Sequence, residues 1–168
     1  MPDITTDDTV DGQPKRDLVS VQVVTHANPQ GGHETIIHAL NRWMTYENGR
    51  RIYFDVTNFA GTESGWNAVP AVYATRHPDG RLIESGRLDD ALKDVGGTIC
   101  GSHSDAAIVK TGQPRLTIKT VFSDERVQAL YDQGKLSLSS AFLCNVGDDG
   151  RIQGQIKPNH ILYFEPSD

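Results

Sequence analysis

Cysteine is scarce in this sequence, and its placement excludes two kinds of scaffold. The only two cysteines, Cys100 and Cys144, lie far apart with no CxxC spacing. Neither a disulfide framework nor a zinc knuckle is therefore indicated. We expect both to be free thiols in a reducing compartment, with Cys144 acting as a small buried hydrophobic residue.

Long apolar runs and clusters of basic residues are also missing. No apolar stretch approaches the ~20 residues needed to span a bilayer, and the segment 1–8 has neither the basic nor the apolar region of a signal peptide. The formal net charge is −6, and no basic cluster is larger than Arg50-Arg51. Because phosphate binding depends on clustered Lys and Arg, we expect no nucleic-acid or membrane partner and a soluble, intracellular protein.

Length and patterning indicate one folded domain. The chain has 168 residues, of which 37% are hydrophobic, which is enough for one substantial core. Residues 1–17 are polar and are predicted to form a disordered tail, so the single domain is placed at 18–168.

The pattern predicts a mainly β domain with two or three helices. Alternating or β-branched runs predict strands at 18–24, 51–54, 69–75, 95–100, 115–122, 136–145, 151–156 and 160–164. Apolar residues at helical spacing predict a helix over 33–47, a short helical turn over 88–92, and a helix that begins near Ser123 and ends at Gly134. A Gly/Ser/Asn loop is expected between the second and third strands, and a turn-rich segment after Cys100. The run 147–150 predicts a hairpin turn.

The strand at 136–145 carries the first candidate for chemistry. Alternation places Leu136 and Leu138 on one face and Ser137 and Ser139 on the other. A hydroxyl that faces a groove from an anchored strand can be activated by a histidine on a neighbouring element. From the pattern alone, such serines are most often the solvated face of an amphipathic strand.

The order of several motifs resembles the prohead (capsid maturation) serine proteases of tailed viruses and the related herpesvirus assemblins. The matching segments are Leu136-Ser137-Leu138-Ser139-Ser140, Pro158-Asn159-His160-Ile161, Trp66-Asn67-Ala68-Val69-Pro70, Arg76-His77-Pro78-Asp79-Gly80 and Val95-Gly96-Gly97-Thr98-Ile99. They cover about residues 50–165. The resemblance implies an α+β, mainly β fold, a closed or partly open β-barrel surrounded by a few helices, with a Ser-His-His catalytic group.

Carried over to this sequence, the resemblance implies Ser137 as nucleophile, His77 as base and His160 as the partner that orients His77. His103 competes with His77 because its segment also resembles the assemblin histidine segment. Only 12 residues separate His103 from Leu116, which leaves little room for an intervening strand and turn, so His77 is favoured. A third-position histidine supplies less charge than an aspartate would, which predicts a slow, specific enzyme.

The implied function is a serine endopeptidase that needs no cofactor and no metal. Its substrates would be scaffold protein, capsid-protein delta regions and the protease itself, inside the procapsid in the host cytoplasm, and it would form a homo-oligomer. The family's oxyanion donors lie in a loop shortly after the second histidine, and no residue of this sequence is assigned to them.

Two other functions stay open from the residues. The first is a non-enzymatic internal core or scaffold protein that keeps the protease fold. The second is a metal hydrolase that uses His77, His103 and His160. The spacing of His33 and His38 is not the i, i+4 of a helical metal pair, so these two and His26 are predicted to be surface residues.

Overall fold

Eleven strands lie within the residues that the structure describes. The computed structural model describes residues 9–10, 13–14, 19–26, 35–46 and 49–166. The strands are β1 (Thr9–Val10), β2 (Gln13–Pro14), β3 (Val19–His26), β4 (Thr35–Ala39), β5 (Arg42–Tyr46), β6 (Arg50–Phe54), β7 (Ala71–Tyr73), β8 (Thr98–Val109), β9 (Arg115–Phe122), β10 (Ser137–Val146) and β11 (Ile152–Phe164).

Five short helices lie between these strands in the described part of the chain. They are α1 (Val56–Phe59), α2 (Glu63–Ala68), α3 (Gly80–Glu84), α4 (Leu88–Val95) and α5 (Glu125–Asp132). Aspartates cap three of them: the side chains of Asp55, Asp79 and Asp124 accept hydrogen bonds from backbone N–H groups of the first turn. Such caps satisfy donors that the helix itself leaves unpaired.

Seven strands form one sheet in the order β3-β10-β11-β7-β8-β9-β4. All neighbours are antiparallel except β11 and β7, which run parallel. The edge strands β3 and β4 also approach each other, so the sheet curls into a nearly closed barrel. The predicted fold class, mainly β with a partly open barrel and a few helices, is confirmed.

The sheet buries apolar residues on both of its faces. Leu138, Phe142, Ile161 and Tyr163 belong to the large core inside the barrel. On the opposite face, Leu162 packs with Val72, Ala74 and Leu92, so α4 covers a second, smaller apolar layer. β10 and β11 are therefore covered on both sides, which explains why the polar residues between their apolar residues are also buried.

The predicted helix over 33–47 is wrong. Within the described residues of this segment, β4 pairs with β9 and β5 pairs with β6. Asn41, between β4 and β5, has a left-handed φ of 56°. This conformation ends β4 and turns the chain into a second sheet, the two-stranded β5–β6 pair. Ile37 in β4 and Leu40 in the corner after it are both buried. Their i, i+3 spacing is therefore the same as that of two residues on the buried face of a helix.

Other boundaries were predicted with mixed success. The strand 115–122, the hairpin turn at 147–150 and the helix ending before Gly134 are confirmed. The turn-rich segment after Cys100 is wrong, because β8 continues to Val109, and the loop predicted between β6 and β7 contains α1 and α2. Of the predicted tail 1–17, β1 and β2 form a small antiparallel pair, and the other residues lie outside the described ranges.

Candidate active site

Three side chains form a hydrogen-bonded row on the outer face of β10 and β11. His77 Nε2 lies 2.7 Å from Ser139 Oγ, and His77 Nδ1 lies 2.7 Å from His160 Nε2. These distances are those of good hydrogen bonds. A serine hydroxyl next to an imidazole that contacts a further polar group is an arrangement in which a serine can be activated.

The strands position two of these residues. Ser139 pairs with Leu162, and Ala141 pairs with His160, so both side chains lie on the same face of the β10–β11 ladder. This is the face of Leu162 and the small outer apolar layer, opposite to the barrel interior. Ser140 points the other way, and its Oγ lies 3.2 Å from Nε2 of the buried His38.

The third residue arrives from the loop after β7. β7 runs parallel to β11, and the chain continues from it through Ala74 to His77. Pro78 is buried and Asp79 caps α3, so the segment is fixed directly after His77. An ion pair between Lys157 and Glu84, 2.6 Å long, ties α3 to β11. His77 is therefore held between β7 and the capped helix α3.

Burial keeps both histidines of the row neutral. Desolvation lowers the pKa of His77 to about 4. Desolvation, together with the charge of His77, lowers the pKa of His160 to about 3. At neutral pH each ring therefore carries one proton and one lone pair, which is the state in which an imidazole can accept a hydroxyl proton.

A fourth polar group continues the row beyond His160. Nδ1 of His160 lies 2.6 Å from Oδ1 of Asn159, and Nδ2 of Asn159 donates to the carbonyl of Gly80 over 3.0 Å. Asn159 lies in the segment 158–161 that carries the family resemblance, but the resemblance implies no role for it. Pro158 was the available signal, because proline inside a central strand usually marks a β-bulge.

The serine hydroxyl that contacts His77 is that of Ser139, whereas the sequence analysis predicted Ser137. Ser137 also lies on the outer face and is buried, but it pairs with Phe164, two positions further along β11. Strand alternation gives Ser137 and Ser139 the same face, so the sequence pattern did not distinguish them. The strand register does distinguish them, because the hydroxyl that lies next to His77 is that of Ser139.

His103 lies elsewhere. Its Nδ1 is 3.0 Å from Thr120 Oγ1, and its ring stacks on Tyr163, a residue of the inner core. The structure thus brings His77 and His160 to the serine strand and leaves His103 apart from them. Across the described residues, no three His, Cys, Asp or Glu side chains are grouped closely enough to hold a metal ion.

The remaining histidines divide between the core and the residues outside the description. His38 is buried among Phe54, Phe59, Trp66 and Phe142, so its prediction as a surface residue is wrong. His33 and the side chain of His26 lie outside what the structure describes. Both cysteines are free, as predicted, and both are buried, which was predicted for Cys144 only.

Comparison with protein-family models, with curated proteins and with solved structures gave no match. In the part of the chain that the structure describes, none of the helices is long and apolar enough to cross a membrane.

Proposed function

We propose that this protein is a serine endopeptidase with a Ser139-His77-His160 catalytic group. The observation that carries the proposal is the row of two 2.7 Å hydrogen bonds that joins the serine hydroxyl to two neutral imidazoles, the half-buried His77 and the fully buried His160. A serine hydroxyl becomes an effective nucleophile when a neutral imidazole accepts its proton and a third group holds that imidazole in place.

The reaction follows from these positions. As Ser139 Oγ attacks the scissile carbonyl, its proton passes to His77 Nε2. His77 then gives this proton to the leaving amine, and an acyl-enzyme forms on Ser139. Water, deprotonated by His77, hydrolyses the acyl-enzyme and restores the serine. His160 accepts a hydrogen bond from His77 Nδ1 and so stabilises the imidazolium that exists between these transfers.

The orienting group is a neutral histidine and not a carboxylate. The lowered pKa of His160, about 3, means that it offers a lone pair without a full negative charge. A neutral partner stabilises the His77 imidazolium less than a carboxylate would. We therefore expect slow turnover, which suits an enzyme that acts once per assembly.

The substrate class rests on the motif resemblance and not on the site geometry. By that resemblance, the substrates are a viral scaffold protein, the delta region of a major capsid protein and the protease itself. The work would take place inside the procapsid, with the protease as a homo-oligomer. The low exposure of Ser139 is compatible with such a narrow specificity, since few peptides would reach its hydroxyl.

The first test compares two serines on the same strand face. We expect Ser139→Ala to abolish cleavage when the protein is co-expressed with the scaffold and capsid proteins of its virus. Ser137→Ala should cleave at close to the unaltered rate, because Ser137 pairs with Phe164, two positions along β11 from the residue that pairs with Ser139. Gel analysis of the processed products measures both. The assignment fails if Ser137→Ala is the inactive variant.

Histidine variants test the base in the same assay. His77→Ala should be as inactive as Ser139→Ala, since no other described side chain is recorded in a hydrogen bond with the hydroxyl. His103→Ala removes another histidine, which is buried and contacts Thr120 and Tyr163 instead. It should retain cleavage once its folding is verified by circular dichroism.

A second function is favoured by the burial of the serine. Ser139 is only 2% exposed, so a peptide carbonyl reaches it only if neighbouring groups move. A non-enzymatic internal core or scaffold protein that keeps this fold would need no such access. A chain that processes none of these proteins, and whose Ser139 stays unmodified by a serine-directed phosphonate, would support this second function.

A further inference from the structure

The hydrogen-bonded row ends on a main-chain carbonyl. Because a carbonyl can only accept, this end fixes the direction of hydrogen-bond donation along the whole row. We infer that Asn159 is a positioning residue that fixes the tautomers of His160 and His77 so that Ser139 always faces an unprotonated nitrogen. This inference rests on the proposed nucleophilic role of Ser139. The row runs from Ser139 through His77, His160 and Asn159 to the carbonyl of Gly80.

The direction starts at Gly80. A carbonyl oxygen can only accept, so the Asn159 atom 3.0 Å from it must be the NH₂ group. The reverse orientation of the amide would bring two oxygens together at that distance. The amide oxygen therefore faces His160, and because an oxygen of this kind only accepts, Nδ1 of His160 must carry the proton.

The remaining protons follow in turn. A neutral His160 with its proton on Nδ1 has a lone pair on Nε2, so His77 Nδ1 must be the donor between the two rings. His77, also neutral, then has its lone pair on Nε2, where it accepts from the hydroxyl of Ser139. With the opposite amide orientation every donor would reverse, and His77 would present a proton to Ser139 and could not act as its base.

A β-bulge makes this arrangement possible. Ala141 pairs with His160 and the next residue of β10 pairs with Pro158, so Asn159 is the extra, unpaired residue of β11. In a regular strand, consecutive side chains point to opposite faces, whereas a bulge redirects one of them. The bulge thus allows the side chain of Asn159 to contact the ring of its own neighbour, His160.

The first residue of α3 completes the site. A Cβ atom on Gly80 would lie 3.1 Å from Oδ1 of Asn159, which is tighter than most side-chain contacts, so glycine permits the close approach of this helix. Asn159 is 4% exposed and His160 is fully buried, which leaves little access for water to replace the amide. An aspartate would keep the acceptor for His160 but would set an oxygen against the Gly80 carbonyl.

The test reads the tautomers directly. Long-range ¹H–¹⁵N spectra of the full chain at pH 7 should show both His160 and His77 with the proton on Nδ1. Asn159→Leu removes the acceptor, so the Nδ1–H form of His160 should no longer dominate, and the rate of Ser139 labelling by a fluorophosphonate should fall at least about tenfold. Asn159→Asp should retain the Nδ1–H form and label faster than Asn159→Leu.

The outcomes separate the two claims. A wild-type His160 with its proton on Nε2, or an Asn159→Leu variant with unchanged tautomers, would overturn the role of Asn159 whatever the labelling shows. If the tautomers are as stated but unaltered protein is not labelled at Ser139, the proposed function fails while the tautomer assignment stands. The wild-type spectrum needs no variant, so poor folding of Asn159→Leu does not prevent the decision.

Discussion

His38 and Ser140 form a second serine–histidine pair, on the inner face of the same strand that carries Ser139. Ser140 Oγ lies 3.2 Å from His38 Nε2. Aromatic rings surround the pair, and their centroids lie 5.3 to 5.7 Å from the centroid of the His38 ring. Burial lowers the pKa of His38 to about 3, so the ring is neutral at pH 7. Nδ1 of His38 is buried and has no hydrogen-bond partner among the described residues. This pair is structural, since it lies inside the barrel.

Replacing one member of this pair should cost more than replacing both. His38→Phe suits the aromatic surroundings but leaves the buried hydroxyl of Ser140 without its partner, which should lower the free energy of unfolding by about 1–3 kcal/mol. The double variant His38→Phe/Ser140→Ala should recover most of this loss. Urea denaturation at pH 7 measures both, and equal losses in the single and double variants would contradict the account.

Three serines on one strand show what alternation can and cannot predict. The sequence pattern correctly separated Leu136 and Leu138 from Ser137 and Ser139. It did not distinguish Ser137 from Ser139, because the choice depends on which of them is aligned with His160 and His77. That alignment is set by the pairing of β10 with β11 and by a bulge, which are long-range features.

The corner between β4 and β5 decides the course of the chain into the second sheet. Asn41 has a φ of 56°, and its Oδ1 accepts a hydrogen bond from the backbone N–H of Val56, at the start of α1. Its own N–H donates to the carbonyl of Phe54. Asparagine is one of the few residues that adopts this conformation readily, so a single residue links the end of β4 to β6 through its backbone and to α1 through its side chain.

Two substitutions at Asn41 should separate the conformation from the hydrogen bond. Asn41→Gly keeps the left-handed conformation and loses only the side-chain bond, so it should lower the free energy of unfolding by about 1 kcal/mol. Asn41→Ala loses the bond and also adopts an unfavourable φ, for a total of about 2 kcal/mol. Chemical denaturation compares them, and an alanine variant as stable as the glycine variant would refute the role of the corner.

The same corner explains why strands were easier to predict than their connections. The run 115–122 alternates cleanly along its whole length and was predicted with its observed bounds. Ile37, Leu40 and Met44 have helical spacing, but the sheet uses them on either side of a turn. Local periodicity carries no information about a strand's partner, and β4 exists because β9 offers it an edge.

The whole molecule holds several neutral histidines in its interior. Burial lowers the pKa values of His38, His77, His103 and His160, the last with help from the charge of His77, to between about 3 and about 4. In the unfolded chain the same groups titrate near 6.5. Between these values the unfolded state binds more protons than the folded state. The stabilisation is therefore complete above pH 6.5 and is lost as the pH falls toward 3.

Acid should destabilise this fold. The slope of the free energy of unfolding against pH should increase with the number of buried, neutral histidines. Each such histidine contributes up to about 1.4 kcal/mol per pH unit inside the window. The double variant His38→Phe/Ser140→Ala should show a slope smaller by about that amount between pH 6 and pH 4.5. Denaturation series at several pH values measure the slope. An unchanged slope would mean that His38 does not stay neutral in the folded protein.

The most direct test of the central claim is to map the residue that a fluorophosphonate modifies. Ser137, Ser139 and Ser140 all lie in the tryptic peptide 136–151, so fragment-ion mass spectrometry must locate the adduct within it. We predict a single adduct on Ser139, retained in Ser137→Ala and lost in Ser139→Ala and His77→Ala. An adduct on Ser137, or a labelled His77→Ala variant, would contradict the Ser139-His77-His160 assignment.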